Sequence, residues 1–257
     1  MNRIAKAFSS QKAFIGFLTA GDPSLEKSEE YILAMARAGA DLIEIGIPFS
    51  DPVAEGEVIE RADQRALAAG TTTDGVFELV SSVRGRTEVP LLFLTYINPV
   101  FTYGYKRFFQ RCREAGIDGI IIPDLPFEER GEIAGIAKMH GVTLITMIAP
   151  TSKERIQMLA QSAEGFIYLV SSMGVTGVRS EIVTDLSSMV SQIRQASDIP
   201  VAVGFGIASP EQAKEIAAVA DGVIVGSRIV SIVEQYGENA AIPLHEYVKE
   251  MKETVKY

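Results

Sequence analysis

Short runs of apolar and β-branched residues alternate along the chain with longer segments in which apolar residues recur at helical spacing. The short runs predict eight strands, and the segments between them predict helices. The strands are predicted at 13–20, 42–48, 91–97, 118–123, 143–149, 165–171, 200–205 and 222–226. The helices are predicted at 2–9, 26–38, 57–69, 74–84, 103–115, 127–139, 152–162, 183–196, 209–219, 228–235 and 240–254.

Eight strands, each followed by a helix, predict an α/β fold of the (β/α)8 (TIM) barrel type. The length of 257 residues fits, because such a barrel takes about 250 residues. The alternative is an open doubly wound sheet, but the first strand–helix turn reads AGDPS and has no GxGxxG fingerprint. We therefore predict one barrel domain over 1–257, with a short extra N-terminal helix and extra C-terminal helices.

A carboxylate interrupts the second predicted strand, because Glu44 lies among the apolar residues of 42–47. Burial of a carboxylate is costly and raises its pKa, so that it can give and take protons near neutral pH. Glu44 shares its alternating face with Gly46, which would leave room for a ligand if this face lines the barrel. Glu44 is therefore either a catalytic acid–base or a strand-end acid in a buried ion pair.

A second acid, Glu55, follows the strand in a loop directly before Gly56. Active sites of barrels lie at the carboxyl ends of the strands and in the loops that follow. We therefore expect Glu44 and Glu55 at the same mouth. Tyr168, in the sixth predicted strand, is either a residue that assists them or a packed aromatic.

Glycines cluster after the last three predicted strands, in SSMGVTGV (171–178), GFGIASPEQ (204–212) and GSR (226–228). Glycines let the backbone approach an anion closely, and a helix N-terminus favours negative charge. The glycines could instead only end strands and cap helices. Because three such loops would meet at one mouth, the pattern favours a phosphate site.

Composition narrows the class of function. The chain has 24 basic and 33 acidic residues, a net charge of −9 and no basic stripe, so nucleic acid and anionic membranes are poor partners. We find no apolar run of 18 residues and no signal-peptide core, and we expect a cytoplasmic protein. The one cysteine, Cys112, fits a small buried hydrophobe in a helix.

The residues absent from the predicted mouth narrow the chemistry. His140 and His245 fall in or at the ends of predicted helices, so no usual zinc site is expected there. No lysine falls within a predicted strand, which disfavours a Schiff base, and no GxSxG elbow is present. With these mechanisms disfavoured, we expect acid–base catalysis by carboxylates on a phosphorylated substrate.

The sequence resembles a known family, the α subunits of tryptophan synthase. The resemblance covers nearly the whole chain and is most specific in its GIPFSDPxAxG and GVTG segments. It is carried by GFLTAGDPS (16–24), IEIGIPFSDPVAEG (43–56), RALAAGTT (65–72), LTYINPVFTYG (94–104), IIIPDLP (120–126), YLVSSMGVTGVR (168–179), VAVGFGIASPEQ (201–212) and DGVIVGSRIV (221–230). It implies a barrel lyase of tryptophan biosynthesis that cleaves indole-3-glycerol phosphate into indole and glyceraldehyde 3-phosphate by a retro-aldol reaction, with no metal or cofactor of its own.

The resemblance also implies roles for the candidate residues. Glu44 corresponds to the acid–base that protonates the indole ring carbon and helps to deprotonate the glycerol hydroxyl. Glu55 corresponds to the acid that stabilises positive charge on the ring nitrogen, and Tyr168 to a tyrosine beside the first acid. Thr176 belongs to a mobile loop that closes against the second acid and excludes water.

The binding residues follow from the same resemblance. The implied phosphate site consists of Gly177, Gly206, Gly226 and Ser227, with Phe205 at its edge. The implied walls of the indole slot are Phe17, Leu94 and Ile148. The chain departs from the family pattern at Glu55, which is more commonly aspartate, and at EVIERADQ (57–64), which is more charged than usual.

A partner is implied as well. The family's α subunits bind a β subunit that carries pyridoxal phosphate, in an α2β2 assembly, and indole passes between the two sites. The loop 49–56 and the segment Asn98–Phe101 correspond to the interface.

Two other functions stay open at this point. The chain could be a non-catalytic subunit that binds a phosphorylated ligand and activates the β subunit. It could also be a neighbouring barrel isomerase or synthase that acts on a phosphoribosyl anthranilate derivative, although the synthase would need a lysine on a strand.

Overall fold

The computed structural model describes residues 2–150, 155–171, 179–204 and 206–256 of the chain, with the side chains of 179–185 outside this description. All nine strands within these residues belong to one parallel sheet with the order β5-β4-β3-β2-β1-β9-β8-β7-β6. The strands are β1 (Ala13–Thr19), β2 (Leu42–Gly46), β3 (Leu91–Leu94), β4 (Gly119–Ile121), β5 (Thr143–Leu144), β6 (Thr146–Ile148), β7 (Ile167–Val170), β8 (Val201–Gly204) and β9 (Gly222–Val225).

The sheet closes into a barrel through the fifth predicted strand. This strand is divided at Ile145 into β5, which pairs with β4, and β6, which pairs with β7. The two ends of the sheet order are thus joined by one residue, whose amide donates to the Ile120 carbonyl at 2.9 Å. The predicted (β/α)8 barrel is confirmed, with eight strand positions around the barrel.

Helices follow the strands and cover the outside of the barrel. They are α1 (Arg3–Ala7), α2 (Leu25–Ala38), α3 (Glu57–Ala68), α4 (Thr73–Arg84), α5 (Ile97–Tyr103), α6 (Tyr105–Ala115), α7 (Gly131–Met139), α8 (Ile156–Gln161), α9 (Arg179–Ala196), α10 (Pro210–Ala217), α11 (Ser227–Tyr236) and α12 (Ala241–Val255), with 3-10 turns at Phe127–Glu129 and Gly237–Asn239. No helix in the described part of the chain is long and apolar enough to cross a membrane.

One region differs from its sequence-based prediction. The strand predicted at 91–97 ends at Leu94, and α5 begins three residues later. The Asp124 carboxylate accepts the Ile97 amide at 2.9 Å, and Pro99 lies in the first turn, where its missing N–H is tolerated. Gly104, at φ +90°, separates α5 from α6.

Two layers of apolar side chains explain why the strands read as apolar runs. The larger layer lies between the sheet and the helices and contains Ile43 and Ile45 of β2. The smaller layer fills the barrel and contains Leu42, the first residue of the same strand. Because side chains alternate along a strand, Glu44 shares the inner face with Leu42. The expectation that this face lines the barrel is confirmed.

Candidate active site

A cavity of about 470 Å³ opens at the carboxyl ends of the strands. Its walls come from the inner strand positions and from the loops that follow them. It is lined by Phe17, Glu44, Ala54, Glu55, Gly56, Ile59, Leu94, Pro123, Met147, Tyr168, Val170, Gly206, Ile207, Ala208, Ile224, Gly226, Ser227, Arg228 and Ser231. The structure thus brings both predicted acids, the predicted tyrosine and the predicted glycines of two loops to one site.

Glu44 is a buried acid that forms no ion pair with the residues that the structure describes. It pairs in register with Phe17 of β1 and Leu92 of β3, and it is 1 % exposed. Neither carboxylate oxygen has a hydrogen-bond partner among the residues described. Burial, and then the charge of Glu55, raise the pKa of Glu44 from 4.5 to about 8. The buried ion pair considered as an alternative is not found in the described part of the chain, and with this pKa the acid holds its proton at neutral pH.

Glu55 lies in the loop between β2 and α3 and is held by Tyr96. The Tyr96 hydroxyl donates to Glu55 Oε1 at 3.3 Å and accepts the Ala54 amide at 3.1 Å. Burial raises the pKa of Glu55 from 4.5 to about 7, the Tyr96 hydrogen bond lowers it in part, and Glu60 raises it. Glu55 is therefore partly ionised near neutral pH.

Tyr168 of β7 is part of the inner layer and also reaches the cavity. Burial, followed by the charges of Glu44 and Glu55, raises the pKa of its phenol well above its usual value. The phenol therefore stays protonated. Gly204 of β8 makes room for it, since a Cβ at that position would lie 2.5 Å from the Tyr168 hydroxyl.

The opposite side of the cavity is built from glycines and a helix N-terminus. Gly206 has φ +77°, a left-handed conformation that favours glycine. Gly226 is the N-cap of α11 and Ser227 its first residue, and no side chain of the described residues caps this helix. Free helix N-terminal amides attract an anion. A helix N-terminus thus lies in the same cavity wall as the two acids.

The three residues predicted as apolar walls of the indole slot do not all reach the cavity. Phe17 and Leu94 line the cavity. Ile148 does not, because it points into the layer between the sheet and the helices, and its neighbour Met147 takes the inner position. Alternation along β6 explains this correction. The space predicted above Gly46 is occupied by the Phe17 ring, since a Cβ on Gly46 would lie 2.8 Å from Phe17 Cζ.

Three predicted site residues, Thr176, Gly177 and Phe205, lie outside the described residues. Several cavity residues were not predicted. Ile59 could have been found from the apolar spacing of α3, and Arg228 from its place one residue after the GS pair. Tyr96 gave no local signal, because only the folded chain brings it to Glu55.

Other side chains considered from the sequence lie away from this cavity. His140 ends α7 and His245 lies in α12. Cys112 is buried in α6, as predicted, and burial raises its thiol pKa well above the usual value. Across residues 2–150, 155–171, 179–204 and 206–256, no group of three His, Cys, Asp or Glu side chains could hold a metal ion, and no strand contains a lysine.

Fold and cavity together define the class of the protein. Barrels carry their chemistry at the mouth where this cavity opens. Carboxylates that keep protons near neutral pH suit general acid–base catalysis, and the helix N-terminus beside them suits a phosphorylated substrate. These features are typical of a barrel enzyme that acts on a phosphorylated compound.

Comparison with known proteins narrows this class to a family. The sequence model of the family described as tryptophan synthase alpha chain matches residues 4–256. The tryptophan synthase alpha chain of Lacticaseibacillus casei is 47% identical over 255 residues, which are 99% of this chain and 96% of the relative. The chain belongs to the tryptophan synthase alpha chain family. Members of this family are lyases that cleave indole-3-glycerol phosphate and work with a beta subunit.

Solved structures agree with the assignment. The crystal structure of tryptophan synthase subunit alpha from Legionella pneumophila str. Paris matches with a TM-score of 0.90 at 35% identity, covering 99% of this chain and 98% of that one. A chain from the tryptophan synthase a2b2 complex of Pyrococcus furiosus matches with a TM-score of 0.87 at 34% identity, covering 95% and 99%. At these identities the likeness extends beyond the fold to the family.

Proposed function

We propose that this chain cleaves indole-3-glycerol phosphate into indole and glyceraldehyde 3-phosphate, with Glu44 as the proton donor and acceptor. One observation carries the assignment of Glu44. It is a fully buried acid in the wall of the cavity, with neither a cation nor a hydrogen bond from the described residues to hold its charge. Such an acid carries its proton at neutral pH and can give it to a substrate.

The proposed reaction needs one proton to move between two sites on the substrate. Glu44 gives its proton to the indole ring carbon that bears the side chain, which leaves positive charge on the ring. The carbon–carbon bond then breaks, its electron pair returns to the ring, and the Glu44 carboxylate takes the proton of the glycerol hydroxyl, which becomes the aldehyde. Atoms and charge balance, and Glu44 ends protonated as it began. A single group can act as acid and then as base because its pKa lies near neutral pH.

Glu55 is proposed to face the ring nitrogen and stabilise the positive charge that forms there. It must be ionised to do so, whereas Glu44 must begin protonated. With pKa values of about 7 for Glu55 and about 8 for Glu44, the active form of the free enzyme is most populated between these two pH values. We therefore expect a bell-shaped dependence of kcat/KM on pH with its maximum between pH 7 and 8.

The substrate is placed by its two ends. The phosphate is proposed to lie at the N-terminus of α11, against Gly226 and Ser227, with Gly206 opposite. The flat ring is proposed to lie between Phe17 and Leu94, toward the two acids. Gly177, Phe205 and Thr176 stay predictions for the phosphate site and the closing loop.

No cofactor takes part in the proposed steps, because proton transfer by Glu44 and charge stabilisation by Glu55 account for each of them. Pyridoxal phosphate is assigned to the partner beta subunit, which uses the released indole. The partner's docking surface is proposed at the loop 49–56 and at Asn98–Phe101. Exposed apolar side chains support this placement, since Val53 is 78 % and Phe101 66 % exposed.

The test is an assay of indole release from indole-3-glycerol phosphate over pH 5.5–9.5, with and without a tryptophan synthase beta subunit. We expect the bell-shaped profile for the wild type, loss of most activity in Glu55→Gln and its retention in Glu55→Asp. A matched control is Glu57→Gln, which removes an exposed acid two residues away. A wild-type chain that binds the substrate and releases no indole even with its partner would favour the non-catalytic subunit instead.

A further inference from the structure

Arg228 is a cation in the cavity wall that the proposed reaction does not use. It is the second residue of α11, directly after Ser227, and it lines the cavity. The other charged residues of the described cavity wall are the two acids, Glu44 and Glu55. Arg228 therefore places a positive charge at the end of the cavity where the substrate phosphate is proposed to lie.

The helix itself gives no reason for an arginine at this position. A cation in the first turn of a helix lies at the positive end of the helix dipole, which disfavours it. The first turn of α11 contains no acidic residue that could offset this cost. Among the residues that the structure describes, Arg228 forms no ion pair and donates no hydrogen bond. Its guanidinium donors are thus available to a ligand.

The ring of Tyr247, in α12, lies beside the guanidinium of Arg228. The Arg228 Cζ atom is 5.9 Å from the centroid of this ring, within the range of a cation–π contact. The Tyr247 hydroxyl donates to the Ala208 carbonyl at 3.0 Å, and Ala208 belongs to the cavity wall, two residues after Gly206. Tyr247 thus connects Arg228 to the loop after β8, and this contact reduces the side-chain freedom that Arg228 would lose on binding a ligand.

The charge of a phosphate requires more than backbone amides at this place. A phosphate monoester carries a charge of about −1.5 to −2 near neutral pH, whereas a helix N-terminus is equivalent to only about half a positive charge. The same cavity contains Glu55, which is proposed to be ionised, and the chain has a net charge of −9. A guanidinium adds one full positive charge and can donate two parallel hydrogen bonds to phosphate oxygens.

We propose that Arg228 binds the phosphate group of the substrate together with the first amides of α11, and that Tyr247 holds Arg228 in position. The inference deepens the proposed function and rests on it for the identity of the substrate. Arg228 would contact the end of the substrate that does not react. It should therefore contribute to substrate binding and to the preference for a phosphorylated substrate, and little to the chemical step.

The first test compares the steady-state kinetics of wild type and Arg228→Gln on indole-3-glycerol phosphate. We expect KM to rise about 10- to 100-fold in Arg228→Gln with kcat little changed, because a hydrogen-bonded charge contact is lost equally in the ground state and the transition state. Arg228→Lys should lie between the two, since lysine keeps the charge without the planar fork. An unchanged KM in Arg228→Gln overturns the proposal.

The matched control is Arg37→Gln, which changes an exposed arginine in the last turn of α2, at the opposite end of the barrel from the cavity. Its KM should equal that of the wild type. Tyr247→Leu removes the ring and should raise KM by a smaller factor than Arg228→Gln. A wild-type KM in Tyr247→Leu would refute the positioning role of Tyr247.

Indole-3-glycerol, the same compound without its phosphate, separates phosphate binding from a structural role. We expect its kcat/KM to be the same in wild type and Arg228→Gln, whereas kcat/KM for the phosphorylated substrate falls. An equal fall for both substrates would refute a contact with the phosphate, because it would mean that the substitution disturbs the site as a whole.

A binding measurement does not depend on catalysis. Calorimetry gives the affinity for glycerol 3-phosphate, and we expect it to be at least about tenfold weaker in Arg228→Gln and unchanged in Arg37→Gln. Equal affinities of wild type and Arg228→Gln would refute the contact even if the enzyme is active. A weaker affinity in Arg228→Gln, in a chain whose wild type releases no indole, would uphold the contact and refute the proposed function.

Discussion

Replacing Glu44 with glutamine should stabilise the fold at alkaline pH. The pKa of Glu44 is raised by folding from 4.5 to about 8, so between these pH values the folded chain holds a proton that the unfolded chain has lost. Stability therefore falls as the pH rises through this window and levels off above it. Because one pKa unit corresponds to about 1.4 kcal/mol, complete ionisation of Glu44 costs the fold about 5 kcal/mol.

Glutamine has nearly the same shape and cannot ionise. The unfolding free energies of wild type and Glu44→Gln should therefore be similar at pH 5 and differ by several kcal/mol at pH 9, with the variant more stable. Folding also raises the pKa values of Glu55 and Asp63, which contribute a fall of the same sign in both proteins, so the difference between the proteins reports on Glu44 and its coupling to Glu55.

The assay is urea unfolding followed by circular dichroism at intervals from pH 5 to pH 9. The control is Glu246→Gln, which changes an exposed glutamate of α12 and should follow the wild type throughout. A difference in unfolding free energy between wild type and Glu44→Gln that stays constant across this range would contradict the raised pKa of Glu44. It would mean that Glu44 ionises in the folded protein as it does in water.

Three further substitutions test the architecture around the site. Gly46→Ala places a methyl group 2.8 Å from Phe17 Cζ, and we expect a loss of about 1–3 kcal/mol in unfolding free energy together with weaker indole binding by calorimetry. Lys252→Met removes the buried ammonium and leaves the half-buried Asp41 carboxylate without its ion-pair partner, and urea unfolding should show a loss of about 3–5 kcal/mol. Tyr96→Phe removes the hydroxyl that holds the Glu55 loop, and steady-state assays should show kcat reduced about tenfold with KM little changed.

Each of these substitutions has a matched control. Gly135→Ala adds the same methyl group where nothing lies within 4 Å, and it should not destabilise the fold. Lys249→Met and Tyr236→Phe change exposed residues. The role of the Gly46–Phe17 contact is contradicted if Gly46→Ala is as stable as Gly135→Ala. The role of the Lys252–Asp41 ion pair is contradicted if Lys252→Met is as stable as Lys249→Met. The role of the Tyr96–Glu55 hydrogen bond is contradicted if Tyr96→Phe is as fast as Tyr236→Phe.

The barrel could be predicted from the sequence because its strands are buried on both faces. Each strand contributes side chains to the layer inside the barrel and to the layer between the sheet and the helices, so that residues on both faces are apolar, as around Ile43 and Ile45. The segments between these apolar runs are long enough for helices. The division of the fifth strand at Ile145 could not be predicted, since it depends on how the two ends of the sheet meet. The early end of β3 at Leu94 depends on Asp124, which is distant in sequence.

The acids could be predicted for a different reason. A carboxylate within an apolar strand is conspicuous in the sequence, and Glu44 lines the cavity at the barrel mouth, as predicted. The inward orientation predicted for Ile148 is wrong, and Met147 faces the cavity instead. Ile148 lies just after the strand break at Ile145, where the sequence alone does not show which residues face inward. The burial of Asp63 could not be predicted, because the segment 57–64 contains several charged residues and only the folded helix shows which of them are buried.

The charged residues in and next to the segment 57–64 also have a structural explanation. Arg61 and Arg65 lie on α3 one turn apart and both bind Glu234 of α11, while Arg65 also binds Asp22. The segment is thus charged on one face and buried on the other. Its departure from the usual family pattern is accommodated by ion pairs between α3, α11 and the loop after β1.

Glu44 is proposed to carry the proton to the ring carbon, and the rate of indole release without its carboxyl group tests this role. Indole release from saturating indole-3-glycerol phosphate is followed for wild type and Glu44→Gln at pH 7.5, and calorimetry measures the affinity of the variant for the same substrate. We expect a loss of at least about a hundredfold in kcat for Glu44→Gln, with substrate binding retained. A Glu44→Gln enzyme that binds the substrate and releases indole at nearly the wild-type rate would contradict it.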